Sequence, residues 1–162
     1  MTPNRLHPLT VEQAVELLAQ SAVNARVLAG GTDLLDEIER GLVAPQTLID
    51  LGAIPSLDYI REDGDYVRLG ARVTHAQVLA SELLRRLAPP LVSACSMLQD
   101  ADARERGTIA GNVASGLSTN LTIAALWAMG AEVKLKSARG ERIVTFNDFF
   151  KGVRQTALAP DE

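Results

Sequence analysis

The chain has one cysteine and two histidines in 162 residues, which leaves little side-chain chemistry available. A single cysteine cannot form an intramolecular disulfide, and this chain alone cannot hold an iron–sulfur cluster or a structural zinc through thiolates. Cys95 lies in the apolar stretch LVSACSML and is predicted to be buried and inert. His75 fits a structural hydrogen bond in a first helical turn, and His7 is expected at the surface. With no GxSxG motif, we expect neither a catalytic side chain nor a metal site.

Positive charge is also scarce. The chain has 16 lysines and arginines and 20 aspartates and glutamates, which gives a net charge of −4. The basic residues are dispersed, so no basic stripe is available to contact phosphates, and nucleic-acid binding is not expected. No window approaches the roughly 18 apolar residues of a membrane span. The first residues, MTPNRLHPLT, lack the charged and apolar segments of a leader. We therefore expect a cytoplasmic protein.

Hydrophobic residues make up 47% of the chain, enough for one compact domain or two small lobes with a core. Thr10 and Gln13 fit a helix-opening capping box, and residues 10–20 carry apolar residues at helical spacing. The run ARVLA, a helix from Leu34, and the run TLIDL then follow in order. This alternation of helix and strand predicts a small parallel sheet in residues 10–51.

The pattern changes near residue 52, where a second lobe is predicted to begin. Strand-like arms flank Asp63-Gly64-Asp65, and another pair flanks Arg139-Gly140, so two hairpins are predicted. Thr74 and Gln77 form a second capping box. Helices are predicted at about 74–80, 82–87, 89–98 and 120–130, with DADARERG as a polar connection. The apolar helix containing Trp127 is predicted to lie buried between the lobes.

The first candidate binding segment is Ala29-Gly30-Gly31-Thr32-Asp33-Leu34, where a strand ends and a helix begins. Two glycines permit close approach of a ligand to the backbone, and free N–H groups at a helix start suit a pyrophosphate. An ordinary turn with a threonine or aspartate cap is the alternative interpretation.

The second candidate segment, residues 107–114, again combines small residues with hydroxyl and amide side chains near a helix start. Two such segments on either side of a lobe boundary favour a long ligand that bridges both, such as a dinucleotide. The chain has neither a GxGxxG sequence after its first strand nor a P-loop lysine, so Rossmann and P-loop folds are not indicated.

These segments resemble the FAD-binding subunits and domains of molybdenum hydroxylases, including the carbon monoxide dehydrogenase medium subunit and xanthine dehydrogenase. The resemblance covers nearly the whole chain, in the family's order and approximate spacing. It rests on LTVEQAVELLAQ, VLAGGTDLL, LIDLGAIPSL, VRLGARVTHAQV, RERGTIAGNVAS, ALWAMGAEVKL, GERIVTFNDFFKG and TALAPDE.

The resemblance implies an α+β, two-lobe FAD-binding domain of the PCMH type. Residues 1–54 would form a small parallel α/β lobe, and 55–162 a larger lobe with an antiparallel sheet and helices. The flavin would take electrons from iron–sulfur clusters of a partner and pass them to an acceptor. The implied partners are a molybdopterin-binding large subunit and a two-iron two-sulfur small subunit. The implied FAD-binding residues are Val27, Leu28, Ala29, Gly30, Gly31, Thr32, Asp33 and Leu34, with Thr108, Ile109, Ala110, Gly111, Asn112 and Ala114.

The sequence also departs from the family. Ala110 replaces the first glycine of the usual TIGGN, Leu121 stands at the position of an aspartate that hydrogen-bonds the nucleotide, and Glu105 replaces an asparagine. The family's carboxy-terminal domain is not in these 162 residues. Three hypotheses follow. The first is an FAD-binding oxidoreductase component, and the second is a degenerate member that binds little or no FAD and acts as a scaffold or assembly subunit. An unrelated nucleotide- or metabolite-binding domain is the third.

Overall fold

A computed structural model describes residues 2–21 and 24–162 and begins with a three-stranded parallel sheet. The strands lie in the order β1 (Asn4–Leu6), β3 (Thr47–Asp50), β2 (Ala25–Leu28), and Val27 of β2 and Leu6 of β1 both lie opposite Ile49 of β3. The predicted alternation of helix and parallel strand is confirmed, and β1 is an additional strand that the sequence pattern did not indicate. The elements are β1 (Asn4–Leu6), α1 (Val11–Ser21), β2 (Ala25–Leu28), α2 (Thr32–Glu39) and β3 (Thr47–Asp50).

Helix α1 begins where the capping residues predict. The Thr10 hydroxyl accepts a hydrogen bond from the Gln13 backbone N–H at 3.2 Å, and the Gln13 side chain accepts one from the Leu9 N–H at 2.8 Å. Ala14 and Leu18, four residues apart, are the buried face of α1. They join a first core of six buried residues, which are Ala14, Leu18, Ala25, Ile49, Leu51 and Ile54.

After β3, two short 3₁₀ turns lead into a longer region of helices and antiparallel ribbons. Its antiparallel strands pair as three separate two-stranded ribbons, β4-β5, β6-β7 and β8-β9, in the described part of the chain. The helices are α3 (His75–Ala80), α4 (Glu82–Leu87), α5 (Pro89–Ser96), α6 (Ala101–Arg106), α7 (Ile109–Ser115), α8 (Leu121–Ala128) and α9 (Phe146–Phe149). The strands are β4 (Ile60–Asp63), β5 (Tyr66–Leu69), β6 (Glu132–Ser137), β7 (Gly140–Thr145), β8 (Phe150–Gly152) and β9 (Gln155–Thr156).

Local signals in this region are largely confirmed. Thr74 and Gln77 form the predicted capping box, in which each side chain accepts a hydrogen bond from the other residue's backbone N–H. Both predicted hairpins are present, with Asp63 opposite Tyr66 and Ser137 opposite Gly140. Cys95 is fully buried, as predicted. The α+β fold class is therefore confirmed.

Two predictions for this region are wrong. The DADARERG stretch is helix α6, whose amino terminus is capped by the Asp100 carboxylate accepting from the Ala103 N–H at 3.1 Å. Helix α8 is buried through Thr122, Ile123 and Leu126, but Trp127 is 43% exposed. Its indole ring instead stacks on Phe150 at 5.4 Å between ring centroids.

A second core occupies the helical region and is separate from the first. The second core's fully buried side chains come from α3, α4, α5 and α9, among other segments. They include Val73, Val78, Leu84, Leu91, Cys95 and Phe149.

Among residues 2–21 and 24–162, no helix has the length and apolar character needed to cross a bilayer.

Candidate functional site

The first wall of the candidate site is the turn between β2 and α2. Gly31 precedes the first residue of α2 with φ of 77°, a left-handed conformation that suits glycine, and no side chain caps this helix. Leu35 donates the first helical hydrogen bond, to the Gly31 carbonyl at 3.0 Å. The N–H groups of residues 32–34 therefore have no acceptor within the described chain. An uncapped helix start of this kind can bind an anion.

Gly30 brings this turn against the second candidate segment. A Cβ atom at Gly30 would overlap the Arg106 carbonyl oxygen and lie 2.8 Å from its carbonyl carbon and 3.0 Å from the Gly107 Cα. The missing side chain therefore permits a backbone-to-backbone contact between the β2–α2 turn and the end of α6. The two segments singled out in the sequence are neighbours in the structure.

The second segment forms the start of α7, and part of it is structural. The Thr108 hydroxyl caps the helix by accepting from the Gly111 N–H at 3.0 Å, and a Cβ atom at Gly111 would lie 2.8 Å from that hydroxyl oxygen. Ile109 is buried in the second core. Ala114 is exposed on the outer side of α7. Among these residues, Asn112 alone has a side chain in the cleft described next.

A cleft of about 290 Å³ lies between the two walls. Pockets that enclose a drug-sized ligand measure about 300–1,000 Å³, so an extended dinucleotide would continue beyond this cleft. Its lining comes from α2, α3, the α5–α7 region and the start of α8. The residues are Thr32, Asp33, His75, Ala94, Met97, Leu98, Ala103, Gly107, Asn112, Thr119, Asn120, Leu121 and Thr122.

Three of the fourteen predicted binding residues, Thr32, Asp33 and Asn112, line this cleft. The others are not part of the lining and lie in β2, in the β2–α2 turn, in α2, at the α7 cap or in α7 itself. These are Val27, Leu28, Ala29, Gly30, Gly31, Leu34, Thr108, Ile109, Ala110, Gly111 and Ala114. Leu121 was singled out from the sequence, but the contributions of α5 and of Thr119, Asn120 and Thr122 were not, because no local motif marks residues that meet only through tertiary packing.

A polar network spans the inner wall of the cleft. The Asn112 side-chain nitrogen lies 3.1 Å from His75 Nε2 and donates to the Thr122 hydroxyl at 3.2 Å. His75 itself is held by its backbone N–H, which donates to the Gly107 carbonyl at 3.1 Å. A Cβ atom at Gly107 would lie 3.2 Å from the imidazole Cδ2, so glycine there leaves room for the ring. The network ties α3, α7 and α8 together.

The cleft has little formal charge. Asp33 and His75 are the ionisable side chains among its lining residues, and no lysine or arginine is included. Burial lowers the pKa of His75, while the nearby Asp33 carboxylate acts in the opposite direction with a smaller effect. The neutral imidazole is favoured at pH 7. A phosphate placed here would rely on N–H and O–H donors rather than on cationic side chains.

Leu121 and Glu105, two residues at which the sequence departs from the family, differ in their position relative to the cleft. Leu121 lines the cleft as the first residue of α8, with 47% of its surface exposed. Glu105 is an exposed residue of α6 and is not part of the cleft lining. The apolar residue at 121 therefore bears directly on the chemistry of the cleft.

Comparison with known proteins places this fold among flavin-binding domains. The family model described as "FAD binding domain in molybdopterin dehydrogenase" matches residues 3–162. The chain is 35% identical over 155 residues to the nicotine 6-hydroxylase medium subunit of Paenarthrobacter nicotinovorans, covering 96% of this chain and 54% of that protein. It is 36% identical over 155 residues to the carbon monoxide dehydrogenase medium chain of Hydrogenophaga pseudoflava, with the same two coverages.

The structural comparison agrees. A chain of the carbon monoxide dehydrogenase structure from Hydrogenophaga pseudoflava superposes with a TM-score of 0.94 at 34% identity, covering 99% of this chain and 57% of that chain. The protein is an α+β domain of the flavoprotein class. It belongs to the family of FAD-binding domains of molybdopterin dehydrogenases, and it spans about half the length of the curated relatives it matches.

The residues present fit the cofactor of this family. The uncapped start of α2 offers backbone N–H donors for a diphosphate, and the opposite wall offers the side chains of Thr119 and Asn120 and the acceptor oxygen of Asn112. FAD, the cofactor of this family, supplies electron-transfer chemistry when bound. The contribution of this chain is to bind and orient it.

Proposed function

We propose that this chain is the FAD-binding part of a medium subunit in a molybdenum-hydroxylase-type oxidoreductase. The observation that carries the proposal is the cleft between the uncapped start of α2 and the Asn112 wall. Thr32, Asp33 and Leu34 would hold the diphosphate through backbone N–H groups, and Asn112 would face the same ligand from α7. The remaining predicted residues would support these two walls.

The proposed FAD site lies between two lobes, residues 1–54 and 55–162. Two observations support this division. The first core draws its six buried members from residues 14–54, and the second core draws its members from residue 73 onward. The backbone contact between Gly30 and Arg106 joins the two parts beside the cleft.

We infer that the complete oxidoreductase passes electrons from iron–sulfur clusters of a partner through the flavin to an acceptor. The proposed partners are a molybdopterin-binding large subunit and a two-iron two-sulfur small subunit. Relatives of this chain are named as medium subunits or chains, which supports membership of a multi-subunit complex. Because those names refer to nicotine and to carbon monoxide, substrate choice belongs outside this domain. A cytoplasmic location remains part of the proposal.

The test is FAD binding by the purified chain, measured by flavin fluorescence and by the absorption that remains after unbound flavin is removed. We expect stoichiometric flavin. A protein that stays colourless at saturating FAD would contradict the proposal.

A charge variant tests whether the phosphates lie at the start of α2. Asp33→Asn removes the one carboxylate of the cleft lining. Like charges near a surface repel by on the order of 1 kcal/mol, so FAD should bind about fivefold more tightly. The matched control is Asp36→Asn, on the same helix but exposed and paired with Arg40 at 3.2 Å. If the two variants bind FAD with equal affinity, the phosphates do not lie at the start of α2.

The second candidate function is a scaffold or assembly subunit that does not hold FAD. Leu121 favours it, because this apolar side chain stands in the cleft at the position of a nucleotide-binding aspartate in the resembling family. In that case the chain would still join its partner subunits, and co-purification without flavin would distinguish the two functions.

A further inference from the structure

His75 is the one buried side chain of the cleft whose hydrogen bonding is incomplete. The residue is 4% exposed and belongs to the lining of the cleft. Nδ1 has no hydrogen-bond partner, one of two such buried side-chain atoms in the described part of the chain. Buried polar atoms are nearly always paired in native proteins, so an unpaired one on a residue that lines a cleft indicates a missing partner.

The tautomer of His75 follows from its neighbour. The Asn112 side-chain nitrogen carries two protons and no lone pair for accepting. It donates one hydrogen bond to Thr122 Oγ1 at 3.2 Å and directs the other to His75 Nε2 at 3.1 Å. Nε2 is therefore the acceptor, and a neutral imidazole must carry its proton on Nδ1. The unpaired atom is a donor.

The surroundings keep this donor neutral and fixed. Burial lowers the pKa of His75, which favours the neutral ring. The His75 backbone N–H donates to the Gly107 carbonyl at 3.1 Å, and the ring packs beside Gly107. Thr122, which anchors the network from α8, is itself buried. The ring is thus held in place before any ligand arrives.

We propose that His75 is a flavin-nucleotide-binding residue whose Nδ1–H donates to an acceptor oxygen of FAD bound in the cleft. Asn112 and Thr122 are positioning residues, because they hold the imidazole in the tautomer that leaves Nδ1 as the donor. This inference rests on the proposed binding of FAD in the cleft. It adds a residue outside the two segments that mark the site in the sequence.

Two substitutions separate the two ring nitrogens. The side-chain nitrogen of asparagine is attached to Cγ, as Nδ1 is, whereas that of glutamine is one bond further out, as Nε2 is. His75→Asn keeps a donor near the Nδ1 position and loses the contact with Asn112. His75→Gln keeps a group that reaches Asn112 and loses the donor. A merely structural role for His75 predicts that His75→Asn is the more damaging change for FAD binding.

The experiment is an FAD titration of the 162-residue chain and both variants, with melting temperatures measured in parallel. We expect His75→Gln to weaken FAD binding by about tenfold, the usual effect of one hydrogen bond. We expect His75→Asn to bind within about threefold of the unmodified chain despite a lower melting temperature. Equal affinity of His75→Gln and the unmodified chain, or weaker binding by His75→Asn than by His75→Gln, would overturn the assignment.

Nitrogen NMR of the histidine rings gives a measurement that does not depend on the variants folding. In a His7→Gln background His75 is the only histidine. We expect the Nδ1–H tautomer without ligand and a shift of the Nδ1 resonance when FAD is added. An Nε2–H tautomer, or FAD binding that leaves Nδ1 unchanged, overturns the inference while the proposed function stands. If the unmodified chain binds no FAD, both fail.

Discussion

Gly30 and Arg106 touch through their backbones, and this contact joins the two segments that mark the cleft. A Cβ atom at Gly30 would overlap the Arg106 carbonyl oxygen and lie 3.0 Å from the Gly107 Cα. Gly30 is thus required by packing within the chain. From the sequence, this glycine was predicted to permit close approach of a ligand to the backbone, whereas in the structure it permits close approach of another part of the same chain.

Gly30→Ala should therefore destabilise the protein. Overpacking against backbone cannot be relieved by a rotamer change, and we expect a loss of about 3 kcal/mol, or a melting temperature lower by about 6–12 °C. The control is Gly152→Ala, where a Cβ atom would meet nothing nearer than 3.4 Å. Thermal unfolding by circular dichroism measures both. Equal melting temperatures for the two variants would show that the backbone contact is not required.

Leu121→Asp should strengthen FAD binding. A carboxylate at the first residue of α8 can accept a hydrogen bond from the nucleotide and also suits the positive end of the helix dipole. Hydrogen bonds to charged groups contribute about 1.5–3 kcal/mol, so we expect a gain of roughly 10- to 100-fold in affinity.

The control for this gain is Leu42→Asp, which changes an exposed leucine outside the cleft and should leave FAD binding unchanged. Leu121→Asn separates the acceptor oxygen from the charge. Titration of FAD into each variant gives the comparison. No gain at residue 121 would contradict a weakened but intact site and would favour the scaffold function.

Stability should fall in mild acid because of His75. Burial lowers the pKa of this imidazole in the folded chain. As the pH falls below the unfolded value of about 6.5, the unfolded chain binds a proton that the folded chain still excludes, so the free energy of unfolding decreases. Urea unfolding at pH about 7.5 and about 5.5 measures the loss. His75→Gln should lose less over this range, and an identical loss in both proteins would mean that other groups cause it.

Cys95 should be unreactive in the folded protein. The side chain is fully buried in the second core, and burial raises the pKa of its thiol to about 12. Because the thiolate is the reactive form, a thiol reagent at neutral pH should modify Cys95 only through unfolding. The labelling rate in increasing urea checks this, and complete modification in strong denaturant is the positive control. Rapid labelling of the folded chain would contradict the packing of α5.

Elements with strong local signals could be predicted from the sequence. The capping box of Thr74 and Gln77 and the tight turns of the β4-β5 and β6-β7 ribbons depend on neighbours in the chain. Helix α6 was not predicted because DADARER has no apolar stripe. It is supported instead by the Asp100 cap and the ion pair between Asp102 and Arg106 at 3.1 Å. Strand β1 has three residues, and the edge of β3 positions it.

The candidate site was predictable only in part. The glycine turn and the α7 start could be found because their small and polar residues are contiguous in the chain. His75 gave no such signal, since a first-turn histidine is most often structural. Only the folded chain shows that His75 lines the cleft and that its Nδ1 is unpaired. Trp127 was expected to be buried because α8 is almost uniformly apolar, yet its ring lies partly exposed against Phe150.

The contact at Gly30 has a consequence for how the sequence can vary. The atoms that meet Gly30 are the carbonyl group of residue 106 and the Cα of Gly107, which every amino acid possesses. Arg106 could therefore be replaced by many other residues without moving the β2–α2 turn relative to the end of α6. Position 30 accepts only glycine. The orientation of the cleft walls thus depends on the absence of a side chain at position 30 and on backbone atoms alone at positions 106 and 107.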